Sequence, residues 1–270
     1  MVNTGMGFIS LGCGGCPDHS DSTTRNLEKT SIKLGYRISA GRLGAMAGRR
    51  KYDQGCAVAH ALDLIGERWA LLVVRDLVLG PKRFTDLLAG LPGVSPDVLT
   101  QRLRELTDAG VLRRRRLSPP AATWVYELTP WGVELAPIVV GLAHWASRSP
   151  GMRYDAPLGT DSLILSLKAL FNGSAAADLD ATIALHLGDE RFQIRIADGE
   201  LAVARGEIED PDATLQTDQT TLLSLLRTDR PLDEALATGN LRLAGNRGII
   251  ETFRRLFPLP PPIPTAKLTS

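Results

Sequence analysis

What constrains this chain most is a change of rhythm at Cys56. From there Val58, Leu62, Leu64, Ile65, Trp69, Leu72, Val73, Leu77 and Leu79 recur mostly at steps of three or four, the spacing that lines one face of an α-helix. Gly66 interrupts the stripe and Gly80-Pro81 stops it. Phe84, Leu87, Leu88 and Leu91 form a second short stripe, closed by Pro92-Gly93. A further helix opens at Ser95, whose hydroxyl can cap orphan amides, with Pro96 suited to the first helical position and Asp97 to the positive dipole end. Asp108-Ala109-Gly110 ends it. Residues 111–117 and 123–128 then read as two strands around Ser118-Pro119-Pro120-Ala121-Ala122, a hairpin with a Pro-containing tip. Thr129-Pro130 caps a last helix carrying Leu135, Ile138, Val139, Leu142 and Trp145.

Helix, helix, tight turn, helix, hairpin, helix is the order of a winged helix-turn-helix, here over roughly residues 56–147. In the Ser95–Asp108 helix, Val98, Leu99, Leu103 and Leu106 make the stripe expected to be buried. Asp97, Thr100, Gln101, Arg104 and Glu105 are left on the open face. Such a face suits the DNA major groove, where Gln pairs bidentately with adenine and Arg with guanine. Ser95 and the neighbouring amides at the helix start favour a phosphate. Arg113, Arg114, Arg115 and Arg116 run up the first wing strand; alternation puts them on both faces, so about half are expected to reach phosphate or minor groove.

The flanking regions differ. Residues 1–50 mix Gly, Ser, Thr and basic residues without a sustained period, and are expected to be disordered or, with an ordinary start at Met46, a misassigned extension. Cys13 and Cys16 with His19 fall short of a tetrahedral site, so no metal and no cofactor is expected. After a linker over 149–159, residues 160–258 read as an α+β domain: a helix near Asp161–Phe171, then period-two segments, then helices. A Pro-rich tail, 259–270, is expected to be extended and mobile. Net charge is +1, but 51–150 hold 12 Lys/Arg against 10 Asp/Glu, and 151–270 hold 12 against 17, which assigns any nucleic-acid contact to the first region. Apolar runs are too short to span a bilayer and no secretory pattern opens the chain, so a cytoplasmic protein is expected. No nucleophile constellation, phosphate loop or dinucleotide fingerprint supports catalysis.

Residues 55–147 resemble the HxlR family of bacterial regulators, relatives of the MarR group. The likeness runs through Cys56-Ala57-Val58-Ala59, Ala61 to Trp69, Leu71 to Leu77, Gly80 to Leu87, Gly93 to Leu106 and Tyr126 to Gly132. It implies a homodimer joined by the first and last helices over a two-fold site on double-stranded DNA. It also makes Cys56, at a helix start, a candidate redox sensor, against the plainer reading of a small residue buried under the dimer helix. Residues 160–257 resemble the sterol-carrier fold through Asp210 to Asp218, Gly239 to Asn246 and the helix through Phe253 and Leu256. That likeness implies an apolar tunnel, with Leu222, Leu226, Leu236, Phe253 and Phe257 either lining it for a small effector or forming plain core. The alternative function is an apolar-molecule carrier whose winged region serves as an interaction module.

Overall fold

A computed structural model describes residues 51–228 and 231–264. The expectations on residues 1–50, on Cys13, Cys16 and His19, and on the last residues of the tail lie outside the described residues. Among the described residues no helix is long and apolar enough to cross a membrane.

The first stripe breaks where glycine was expected to break it. Helix α1 spans Ala57–Ile65, Gly66 closes it, and α2 spans Ala70–Leu77. Trp69 caps α2 at φ 78, a left-handed conformation costly for a bulky residue, and Arg68 lies 5.1 Å over its ring. Helix α3 is Phe84–Gly90 and α4 is Pro96–Asp108. The wing pairs β1 (Leu112–Arg116) antiparallel with β2 (Trp124–Leu128), and Lys82 adds a third edge through reciprocal backbone bonds with Tyr126. The single helix expected after Thr129-Pro130 is instead two. A one-turn α5, Pro130–Val133, is capped by Thr129, and α6 runs Leu135–Ser147. Gly132 explains the tight packing of α5: a Cβ there would press into the Val111 carbonyl. Leu87, Leu99, Leu103, Leu106 and Val74 make the heart of this core, each essentially inaccessible.

The α+β part begins with α7, Thr160–Leu170, followed by a 3-10 turn at Gly173–Ala176. Strands β3 (Ala181–Leu187), β4 (Glu190–Ala197) and β5 (Glu200–Arg205) form an antiparallel meander. Strand β6 (Ala213–Thr217) then crosses to pair parallel with β3. Helices α8 (Gln219–Arg227) and α9 (Leu232–Ala237) lead to β7 (Leu241–Gly245), and α10 (Arg247–Phe253) follows. The strand order is β5-β4-β3-β6-β7. Residues 160–257 thus fold as α+β, as the patterning predicted, with their strands gathered in one sheet.

The described residues belong to one compact unit, and 149–159 is packed rather than strung out. Tyr154 donates its hydroxyl to the Ser147 carbonyl, Arg227 donates to the Tyr154 carbonyl, and Gln219 donates to that of Leu158. The Pro-rich segment over 258–264 forms no helix or strand, and Ile263 N–H donates to the Arg148 carbonyl at 2.9 Å, tying it to the end of α6. Charges join the two cores as well. Asp161, buried at the start of α7, accepts from Lys82 beside the wing and from Arg205, which also holds Glu190.

Candidate nucleic-acid interface

Helix α4 is built as its sequence suggested at its start. Ser95 Oγ accepts from Val98 N–H at 3.3 Å, and Pro96 occupies the first turn with Asp97. Ser95, Asp97, Thr100, Gln101 and Arg104 are all exposed. Two placements differ from expectation. Val98 is 38% exposed and Glu105 only 8%. Being seven residues apart they share one row beside the Leu99-Leu103-Leu106 stripe. That row is open at Val98 and covered at Glu105, where Arg102 closes over the carboxylate and Gln101 Nε2 donates to it at 3.0 Å. Glu105 therefore leaves the open face, and Gln101 must exchange Glu105 for a base edge to read DNA. Thr100 Oγ1 is turned back to the Pro96 carbonyl at 2.8 Å. Of the candidate readers, Arg104 has no side-chain hydrogen bond or ion pair among the described residues.

The wing divides its four arginines by strand alternation. Arg113 and Arg115 share a face with Glu127 and donate to its two oxygens at 2.6 and 2.5 Å. Burial pushes the Glu127 carboxyl up, but the hydrogen bonds and charges of Arg115 and Arg113 together outweigh it and hold the group below its ordinary range. On the other face Arg114 lies 4.7 Å over Trp124 and 6.0 Å from the Tyr126 ring centre, while Arg116 Nε donates to the Ala122 carbonyl at 3.2 Å. The hairpin contains four arginines and one carboxylate, so it is strongly positive, and α4 packs directly against it. The run of arginines was legible in sequence; its division by Glu127 was not, although Glu127 sits opposite Arg113 in the register.

A third feature is the outer surface of α1 and α6. Val58 and Leu62 on α1 are 69% and 43% exposed. On α6, Ile138, Leu142 and Trp145 at 58, 45 and 73% form a continuous apolar row at helical spacing. Cys56 is exposed at the N-cap of α1, and the backbone amides of Ala59 and then Val58 hold its thiol below the ordinary value, although burial acts weakly in the other direction.

Leu222, Phe253 and Phe257 are buried in the sheet core, where Phe253 and Phe257 meet edge to face at 4.9 Å; Leu226 and Leu236 pack against the same core. The conspicuous apolar cavity lies elsewhere, between α2, α6 and α7. The motif residues in this part are structural. Asp212 accepts from both the amide and hydroxyl of Thr182, Asp218 caps α8, and Asn246 caps α10.

Residues 64–152 match the model of the HxlR-like helix-turn-helix family. An uncharacterised HTH-type transcriptional regulator of Bacillus subtilis, YvaP, is 38% identical over 87 residues, which span 32% of this chain and 81% of YvaP. The chain belongs to the HxlR-like family. A second uncharacterised HTH-type regulator, sll1512 of Synechocystis, is 36% identical over 32% of this chain and 64% of its own length. Among solved structures, the redox regulator HypR in its oxidised form is similar at 30% identity, with a TM-score of 0.34, covering 36% of this chain and 100% of HypR. Residues 158–263 match a different family model, the alkyl sulfatase C-terminal region. The HxlR-like assignment thus concerns the helices and wing, and about two thirds of the chain lies outside these matches to its HTH relatives.

Proposed function

We propose that this chain is a DNA-binding transcriptional regulator. In this reading it acts as a homodimer on a two-fold site, with Ser95, Asp97, Thr100, Gln101 and Arg104 facing the major groove and one face of the Arg113–Arg116 strand, that of Arg113 and Arg115, engaging the backbone. The observation that carries it is an exposed, N-capped α4 packed against a strongly positive hairpin. The HTH-type regulator names of the relatives support the same reading. The apolar row on α6 with Val58 and Leu62 supplies the dimer face. Residues 160–258 form the second, sterol-carrier-like domain of this proposal and serve as a sensor of an apolar effector rather than as an enzyme. Cys56 is a thiol sensor in the same scheme; operator affinity unmoved by diamide would retire that role.

Fluorescence anisotropy against DNA from upstream of the chain's own gene tests the reading. The expected result is saturable binding that weakens steeply as salt rises. Absence of salt-sensitive binding to any such fragment would refute it and favour the carrier alternative.

A further inference from the structure

The junction between the two cores forms a partly open apolar cavity of about 310 Å³, a size at which pockets for small ligands begin. Its walls come from both sides: Leu72 from α2, Val139 and Leu142 from α6, Leu165 and Ala169 from α7. The segment 152–158, which connects the two regions, forms a further wall. Among the described residues no Asp or Glu lines the space, whereas Arg75, Arg153 and Arg227 do. Two of these are already paired, Arg75 with the buried Asp76 and Arg153 with Asp155. Arg227 is not: it is half-buried, donates to the Tyr154 carbonyl at 2.8 Å and lies 5.3 Å over the Tyr154 ring, with no carboxylate partner among the described residues.

We propose that this cavity binds an amphipathic monocarboxylate, its apolar body between α6 and α7 and its anionic head on Arg227. An unpaired guanidinium at the edge of an apolar space gains most from an anion that brings its own apolar tail. The location makes this ligand the effector, which rests on the regulator reading above. Helix α7 lines the cavity from Ser162 to Leu170, and its buried Asp161 holds Lys82, whose backbone pairs with Tyr126 of the wing. Helix α2, the opposite wall, packs against α4. A ligand that prefers one spacing of α6 and α7 therefore biases both DNA-facing elements, as linkage requires of any effector.

The test uses the full chain with decanoate and, as its uncharged counterpart, decanol, followed by calorimetry. Saturable binding of decanoate at one per chain is expected. Arg227→Gln should weaken decanoate about tenfold while leaving decanol unchanged. Ser166→Trp, which fills the cavity from α7, should abolish both; should that variant fail to fold by circular dichroism, Arg227→Gln still decides. Non-saturable decanoate binding, or equal affinity in wild type and Arg227→Gln, would overturn the site. So would a change from dimer to monomer in folded Ser166→Trp, because the cavity would then be the seat of a second copy. Anisotropy in the absence of either compound separates the two levels: no DNA binding there refutes the regulator, and leaves the calorimetric result for the cavity standing.

Discussion

Replacing Glu127 by Gln probes whether the wing's arginines face DNA. One carboxylate holds both Arg113 and Arg115, so its loss frees one unit of positive charge per wing while keeping the side-chain shape. Each added phosphate contact steepens the dependence of log affinity on log salt by about 0.9, hence about 1.8 for a two-fold dimer, or roughly a 12-fold larger loss between about 50 and 200 mM salt. The substitution also has a folding cost. Arg113 and Arg115 are 60% and 43% exposed, so the pair contributes only about 1 kcal/mol. Because Glu127 is held below its ordinary value, that contribution is present above the unfolded carboxylate range and is lost as pH falls through the lower folded value. Wild type and variant should therefore differ in urea stability at neutral pH and converge in acid. Anisotropy titrations over a salt series read the binding side. An unchanged or shallower slope in Glu127→Gln, with stability lowered as expected, would refute the placement of Arg113 and Arg115 at the DNA.

Arg104→Ala should weaken operator binding by about 1–3 kcal/mol and relax preference at one base pair, measured by competition with point-substituted sites; intact affinity and preference would move the reading surface elsewhere. Trp145→Glu, at the most exposed position of the α6 row, should convert dimer to monomer in light scattering and reduce operator affinity about a hundredfold or more through lost bivalency. Asp76 is buried with one oxygen unpartnered; burial raises its carboxyl, against the charge and hydrogen bond of Arg75. A raised carboxyl favours folding below its unfolded value, and that advantage disappears as pH climbs through the folded one. The stability of Asp76→Asn relative to wild type should accordingly improve from about pH 4 upward in urea titrations.

Local chemistry accounts for how much could be read without coordinates. Steps of three and four, alternation, and caps such as Ser95 and Thr129 act over a few residues, so α1 to α4, the wing strands and the strand segments of the α+β part followed from pattern. The need for glycine at 132 was not legible, because its reason, the Val111 carbonyl, lies across the fold. The misplacement of Glu105 and Val98 has a similar origin. An amphipathic pattern assigns rows to faces, but whether a bordering row is covered at one end depends on a neighbour, here Arg102. The Leu222 and Phe253 positions show the same limit: an apolar residue patterned inward can fill a core or line a space, and periodicity does not distinguish them.

The junction follows from contacts that no local rule reaches. Lys82 and Asp161 are 79 residues apart, and Asp161 and Arg205 are 44 apart. A buried carboxylate shared by two cations is costly unless both stay in place, which makes the pairing directional rather than adaptable. Removing Lys82 would leave Asp161 to Arg205 alone and separate α7 from the wing edge. The sheet region is therefore not an appendage on a flexible tether. Its first helix is held at one end by the element that bonds the wing, and along its length it forms a wall of the space that Arg227 overlooks. A domain so attached can report on an occupant of that space only by moving α7 against α6, and any such movement must strain or relax the Lys82–Asp161 pair.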